Sequence, residues 1–169
     1  MGCDIHLYTE KKVQTRDGDD AWFCCDYFMH NESYICGYAK EDELNHVGIY
    51  DNRNYLLFGI LANVRNDEYI PIAAPRGLPN DVSDIVKQAA DDWIGDGHTH
   101  SWLTAGEIFK YYNRNKVDCR IKQAMKPLVK AIKRKMCEQF WIRTEDKEIK
   151  KQRLKQFEDS FRIVFWFDN

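Results

Sequence analysis

The sequence predicts an α+β fold: a mainly antiparallel sheet that includes both chain termini, with helices packed on one side. Three observations carry this. Residues 2–10 alternate, with Cys3, Ile5 and Leu7 on one face and Asp4, His6 and Tyr8 on the other, the period of a half-buried strand. The closing run Phe161-Arg162-Ile163-Val164-Phe165-Trp166-Phe167 is dense in β-forming residues. Between them the apolar spacing shifts to three and four, the period of helices.

Taken in order, the first strand returns through the turn signal Asp17-Gly18 into Trp22-Phe23, a hairpin of about 3–13 with 21–28. Residues 29–49, punctuated by Asn31, Gly37 and Gly48, read as a loop. Leu57, Ile60 or Leu61, and Val64 predict a helix from about Arg53 to Arg65, with Asp51 as its N-cap. The segment 71–79 holds three of the four prolines and reads as a stiffened extended loop. A helix over about 82–93 follows, stopped by Gly95 and Gly97. Thr104 and Glu107 form a capping-box pattern opening a helix to about Tyr112. From Val117 to Trp141, Ile121, Met125, Leu128, Ile132 and Met136 recur at helical spacing, interrupted only by Pro127. A polar helix occupies about 145–159.

With 169 residues, 44% hydrophobic and 31% charged, the chain is expected to form one domain with a real core. No apolar run reaches the roughly 20 residues that span a bilayer, and no basic-then-apolar leader opens the sequence. The expectation is a soluble cytoplasmic protein with no membrane partner. Six cysteines lack any C-x-x-C pair, so buried free thiols are expected over a zinc knuckle or disulfides. The net charge of -2 hides a split. Residues 116–155 carry 14 of the 25 Lys/Arg against 5 of the 27 Asp/Glu, leaving the rest of the chain with 11 against 22.

Several motifs occur in order. They are the start Met1-Gly2-Cys3-Asp4-Ile5-His6; Arg53-Asn54-Tyr55 through Leu57-Phe58 and Ile60-Leu61-Ala62 to Val64-Arg65-Asn66; Pro75-Arg76-Gly77-Leu78-Pro79; Gly97-His98 with Ser101-Trp102-Leu103-Thr104; and Phe165-Trp166-Phe167-Asp168-Asn169. On these the chain resembles a family of small uncharacterised bacteriophage and bacterial proteins. The resemblance implies a phage-type origin, in the cytoplasm of a bacterial host cell, and implies no reaction. Residues 116–155 fall outside it and read as a basic helical insertion into the single domain 1–169.

Candidate chemistry gathers at four places. Asp4 and His6 point the same way from one strand, a carboxylate and imidazole suited to acid–base work or to metal ligation. A solvated strand face is the plain alternative. Asp96, His98, His100 and Ser101 crowd a Gly-flexible loop before a helix, where ligand residues concentrate or where a helix is merely capped. If His98 met Asp4 and His6, the three would suit a divalent transition metal, making Asp4, His6 and His98 both the catalytic and the metal-ligating candidates. Arg53 sits at a helix start, against the dipole, and Arg76 sits in the Pro-braced loop; with Asn54, Tyr55, His100 and Ser101 they are the candidate ligand-binding set for an anion. Lys122, Lys126, Lys130, Lys133 and Arg134 form a basic helix face, as a solvated surface or a nucleic-acid contact.

Three functions follow. The first is a binder of a phosphate-bearing, nucleotide-like small ligand, with metal-assisted hydrolysis as its catalytic extension. The second is a non-enzymatic binder that sequesters a ligand or blocks a host defence protein. The third is nucleic-acid binding through the basic helix, ranked last because the whole chain is acidic.

Overall fold

A computed structural model describes residues 2–41 and 44–168; Met1 and Asn169, the outermost residues of the motifs above, lie outside the described residues. In chain order the elements are β1 (Ile5–Gln14), β2 (Asp20–Cys24), β3 (Tyr27–Met29), α1 (Glu32–Ile35), β4 (Asn45–Val47) and α2 (Tyr55–Ala62). They continue as α3 (Asp84–Asp91), β5 (His98–Thr104), α4 (Ala105–Asn115), α5 (Cys119–Gln139), α6 (Lys147–Gln156) and β6 (Phe161–Phe167).

One antiparallel sheet runs in the order β2-β1-β6-β5. The two terminal strands are its centre, paired from Ile5 opposite Phe167 to Lys11 opposite Phe161. This explains why β6 is apolar almost throughout. It has a neighbour on each side and a layer on each face, so all seven of its residues are buried. Strand register then sorts the side chains. Ile5 and Leu7 of β1 share a face with Phe165, Phe167 and Ile163, and there they meet Leu57, Phe58 and Leu61 of α2, Ile108 of α4, and Met125, Leu128 and Ile132 of α5. The larger helices therefore stack on one side of the sheet. The opposite face is covered more thinly, by Val86 and Ala90 of α3 against Tyr8, Val164 and Trp166, and by Phe28 from the separate β3–β4 ribbon.

Local signals explain the elements that match expectation. Gly18, at φ +91°, makes the β1–β2 turn. Thr104 accepts from the Glu107 backbone while the Glu107 carboxylate accepts from the Thr104 backbone, a complete capping box for α4. Pro127 sits inside an unbroken α5. The stretch 116–155 is far from peripheral, because α5 supplies a wall of the main core.

Three expectations are corrected. The helix expected over 53–65 is the shorter α2. Asn54, not Asp51, caps it by accepting from Leu57 N at 3.1 Å, and Asn63 ends it in the left-handed region at φ 61°. Residues 29–49 are not only loop, since they hold α1 and β4; a three-residue strand is too short to display a period. The supposed loop at 96–101 is in part β5, made a strand by hydrogen bonding to the free edge of β6. Cys3, Cys24 and Cys25 are buried free thiols as expected, whereas Cys36 and Cys119 are exposed. Burial pushes the Cys24 thiol up to about 11 and the Cys25 thiol up to about 12, so neither is a ready nucleophile. Among the described residues no helix is long and apolar enough to cross a membrane.

Candidate functional site

The arginines expected to hold an anion already hold carboxylates of this chain. Arg53 donates to both Asp4 oxygens, at 2.8 and 2.6 Å, and this hydrogen-bonded pairing keeps the Asp4 carboxyl below its ordinary range. Gly2 lies directly beneath the guanidinium, where a Cβ would come within 2.7 Å of it. An arginine against the helix dipole is thus explained by Asp4. Asn54 is the α2 cap, and the Tyr55 ring lies under Arg65 with its guanidinium carbon 5.0 Å from the centroid. Arg76 grips Glu107 in a two-pronged pair at 3.0 and 2.5 Å and lies over Trp102 at 4.7 Å. Ser101, at 1% exposure, accepts from the Arg76 backbone N–H at 3.2 Å. Arg76 and Ser101 lock the Pro-braced loop to β5 and α4, and the Arg53 and Arg76 forks are each engaged by a carboxylate of the chain.

The expected trio Asp4, His6 and His98 does not assemble. His6 lies opposite Trp166 in the sheet, whereas His98 lies opposite Phe167, whose side chain belongs to the other face. Ring contacts agree, with His98 6.1 Å from Phe167 and His6 5.8 Å from Trp166. An irregularity in β5 between His98 and Ser101, with Thr99 at φ 56°, changes the direction of the strand's side chains. His100 is the histidine that joins His6 on the same face, stacked on Trp166 at 5.5 Å. The carboxylate that meets His6 is Asp168, 3.1 Å from Nε2; its other oxygen accepts from Asp4 N at 2.9 Å. Among the described residues no three His, Cys, Asp or Glu side chains are grouped to hold a metal ion. Asp4, His6 and His98 therefore do not form the donor set expected for a divalent metal.

That face also carries pairs the sequence reading missed. His46 of β4 lies 2.9 Å from Asp26, whose carboxylate accepts from both Thr9 N and Thr9 Oγ1 at 2.8 and 2.5 Å. His46 stacks on Tyr8 at 3.9 Å, and Tyr8 on Trp166 at 5.3 Å. Burial pushes the Tyr8 phenol up to about 12. Rings and carboxylates here tie the ribbon and the α3 layer to the sheet, with Tyr8 7% and Trp166 0% exposed.

A cleft of about 370 Å³ lies at Arg65, Pro75 and His98, and a larger concavity lies elsewhere. Helices α4, α5 and α6 enclose a groove of about 1160 Å³. Lys126, Lys130, Lys133 and Arg134 line it from α5, and Lys147, Lys150, Lys151 and Lys155 from α6. Lys110 adds a ninth cation from α4, against three carboxylates, Glu107, Glu158 and Asp159. One of the three, Glu107, is neutralised by Arg76. Only Lys151 of the nine has an ion pair among the described residues, to Glu148 at 3.8 Å. Beneath them lie Phe109, Val129, Cys137 and Leu154, with half-buried Tyr112 alongside. The Lys133 ammonium sits 5.2 Å from the Phe109 centroid. Local sequence explains the arrangement. On α5 the apolar positions 125, 128, 129, 132 and 136 face the core, which turns 126, 130, 133 and 134 outward at the same helical spacing. On α6 only Leu154 is buried, so its lysines are left along the groove.

No family model, curated protein or solved structure matches this chain.

Proposed function

We propose that this protein binds a phosphate-bearing polyanion of the nucleic-acid class in the groove between α4, α5 and α6. The observation behind this reading is the set of nine Lys and Arg side chains, eight of them without an ion pair among the described residues, converging on one concavity. Cations crowded together repel, and a fold tolerates that where a ligand relieves it; phosphodiester oxygens do so by displacing counterions. The whole-chain charge of -2 does not oppose this, because the acidic residues lie largely outside 116–155. The phosphate-bearing ligand expected from the sequence is retained, and its seat moves from Arg53 and Arg76 to the lysine groove. A cationic rim over an apolar floor suits binding, and the reading is binding without catalysis.

Fluorescence anisotropy with labelled oligonucleotides tests it. Affinity should fall by at least tenfold between about 50 and 200 mM salt. The double variant Lys130→Glu with Lys150→Glu should abolish binding. Absence of binding at the lower salt, or full binding by the double variant, overturns the proposal.

A further inference from the structure

We infer that the groove accepts a single strand of nucleic acid, no more than about three to four nucleotides per site, in preference to a duplex; this rests on the reading above and names its ligand. The chemistry of the groove is two-layered. Its rim is ammonium and guanidinium groups, and its floor is Phe109, Val129 and Leu154 with the Tyr112 ring beside them. A duplex shows sugars, phosphates and base edges on its outside, with the apolar faces of its bases hidden in the stack. Seating it here would press phosphate against an apolar floor and desolvate charge without return. A single strand offers both surfaces at once, phosphates for the rim and unstacked base faces for the floor, the pairing used by single-strand binders.

Dimensions agree. The basic residues of α5 run from Lys126 to Arg134 and those of α6 from Lys147 to Lys155. Each row covers eight residue steps, about 12 Å at 1.5 Å per residue. At the stacked rise of about 3.4 Å that is three to four nucleotides, and fewer once the strand is unstacked and extended. The groove volume of about 1160 Å³ exceeds the range of roughly 300–1,000 Å³ usual for one small ligand. One end is shut. Gly106 at the start of α4 donates to Glu158 O at 3.0 Å, and a Cβ at Gly106 would meet Asp159 Oδ1 at 2.8 Å. Glu158 and Asp159 at that end repel phosphate, so the strand enters from the other end.

The test is anisotropy with labelled oligothymidylates of about two, four and eight nucleotides and a duplex matched in phosphate number to the longest. The eight-nucleotide strand should bind at least tenfold tighter than the duplex, with most of that affinity reached at four nucleotides. Tyr112→Ala should weaken the strand about tenfold and leave the duplex unchanged, consistent with roughly 1–3 kcal/mol per stacked base. Tyr112→Phe should restore binding, because the ring and not the hydroxyl does the stacking. A duplex bound as tightly as the strand, or Tyr112→Ala weakening both alike, overturns the single-strand inference and leaves the anion-binding groove standing. Binding of neither nucleic acid, with or without binding to phosphatidylserine vesicles, overturns the groove's assignment itself. If Tyr112→Ala proves unfolded by circular dichroism, the strand-to-duplex ratio of the native protein decides alone.

Discussion

Arg162 of β6 donates to Glu10 of β1 at 2.7 Å, and both side chains are shut off from water, at 2% and 0% exposure. They stand opposite each other in the register of the two terminal strands. The guanidinium also donates to Asp81 Oδ1 at 2.7 Å and lies 3.9 Å from the Trp22 centroid. The other Glu10 oxygen accepts from the Ser83 backbone N–H at the start of α3. One buried pair thus joins two central strands to the layer that covers them.

Breaking that pair should cost far more than a surface contact. Arg162→Met leaves Glu10 buried with its charge uncompensated, and the expected loss is roughly 3–5 kcal/mol. Denaturant unfolding of Arg162→Met, Glu10→Gln and the double variant would show it. The double variant should recover part of the single-variant loss, and an additive result would mean the two residues are not coupled.

Gly59 in α2 runs against the usual helix preference. Alanine is the better helix former by about 1 kcal/mol. Here a Cβ would lie 2.8 Å from Asn66 Cβ, and Asn66 pins the following turn through Tyr69, accepting from its N–H at 3.0 Å. Gly59→Ala should therefore destabilise by about 1–3 kcal/mol. A raised melting temperature would refute this.

His100 should make stability depend on pH near neutrality. Burial, and then the charge of nearby His98, lower its pKa from the ordinary 6.5. A base with a depressed folded pKa takes up its proton more readily when unfolded. Folding is then unpenalised above about pH 6.5, and stability falls as pH drops from there toward the folded value. Melting temperatures between about pH 7 and 5 should decline less in His100→Phe than in the native protein.

Arg53 and Lys130 separate the two candidate seats for an anion. Arg53→Ala frees Asp4 and should leave oligonucleotide affinity unchanged, because the pair is internal to the chain. Lys130→Ala should weaken affinity and lower the salt slope by about 0.7 to 1. The reverse pattern would return the site to the strand face.

The sequence by itself determined the elements whose signals are local or long. Alternation in β1, the β-rich run of β6, the Thr104–Glu107 box and the apolar spacing of α5 each depend on neighbours along the chain, so they can be read without knowing the fold. The chemistry of single residues was legible too, but not their partners. Arg53 looked unpaired because Asp4 is 49 positions away, and His6 found Asp168 across 162. His98 and His100 differ by two residues and yet face opposite sides of the sheet, because the β5 irregularity at Thr99 breaks the strand period. The groove is the clearest case of tertiary decision. Each basic helix face reads as a solvated surface alone, and only the packing of α5 against α4 and α6 makes the lysines two walls of one site. Charge is written in the sequence; convergence of charge is a property of the folded chain, because it is set by contacts between residues far apart along it.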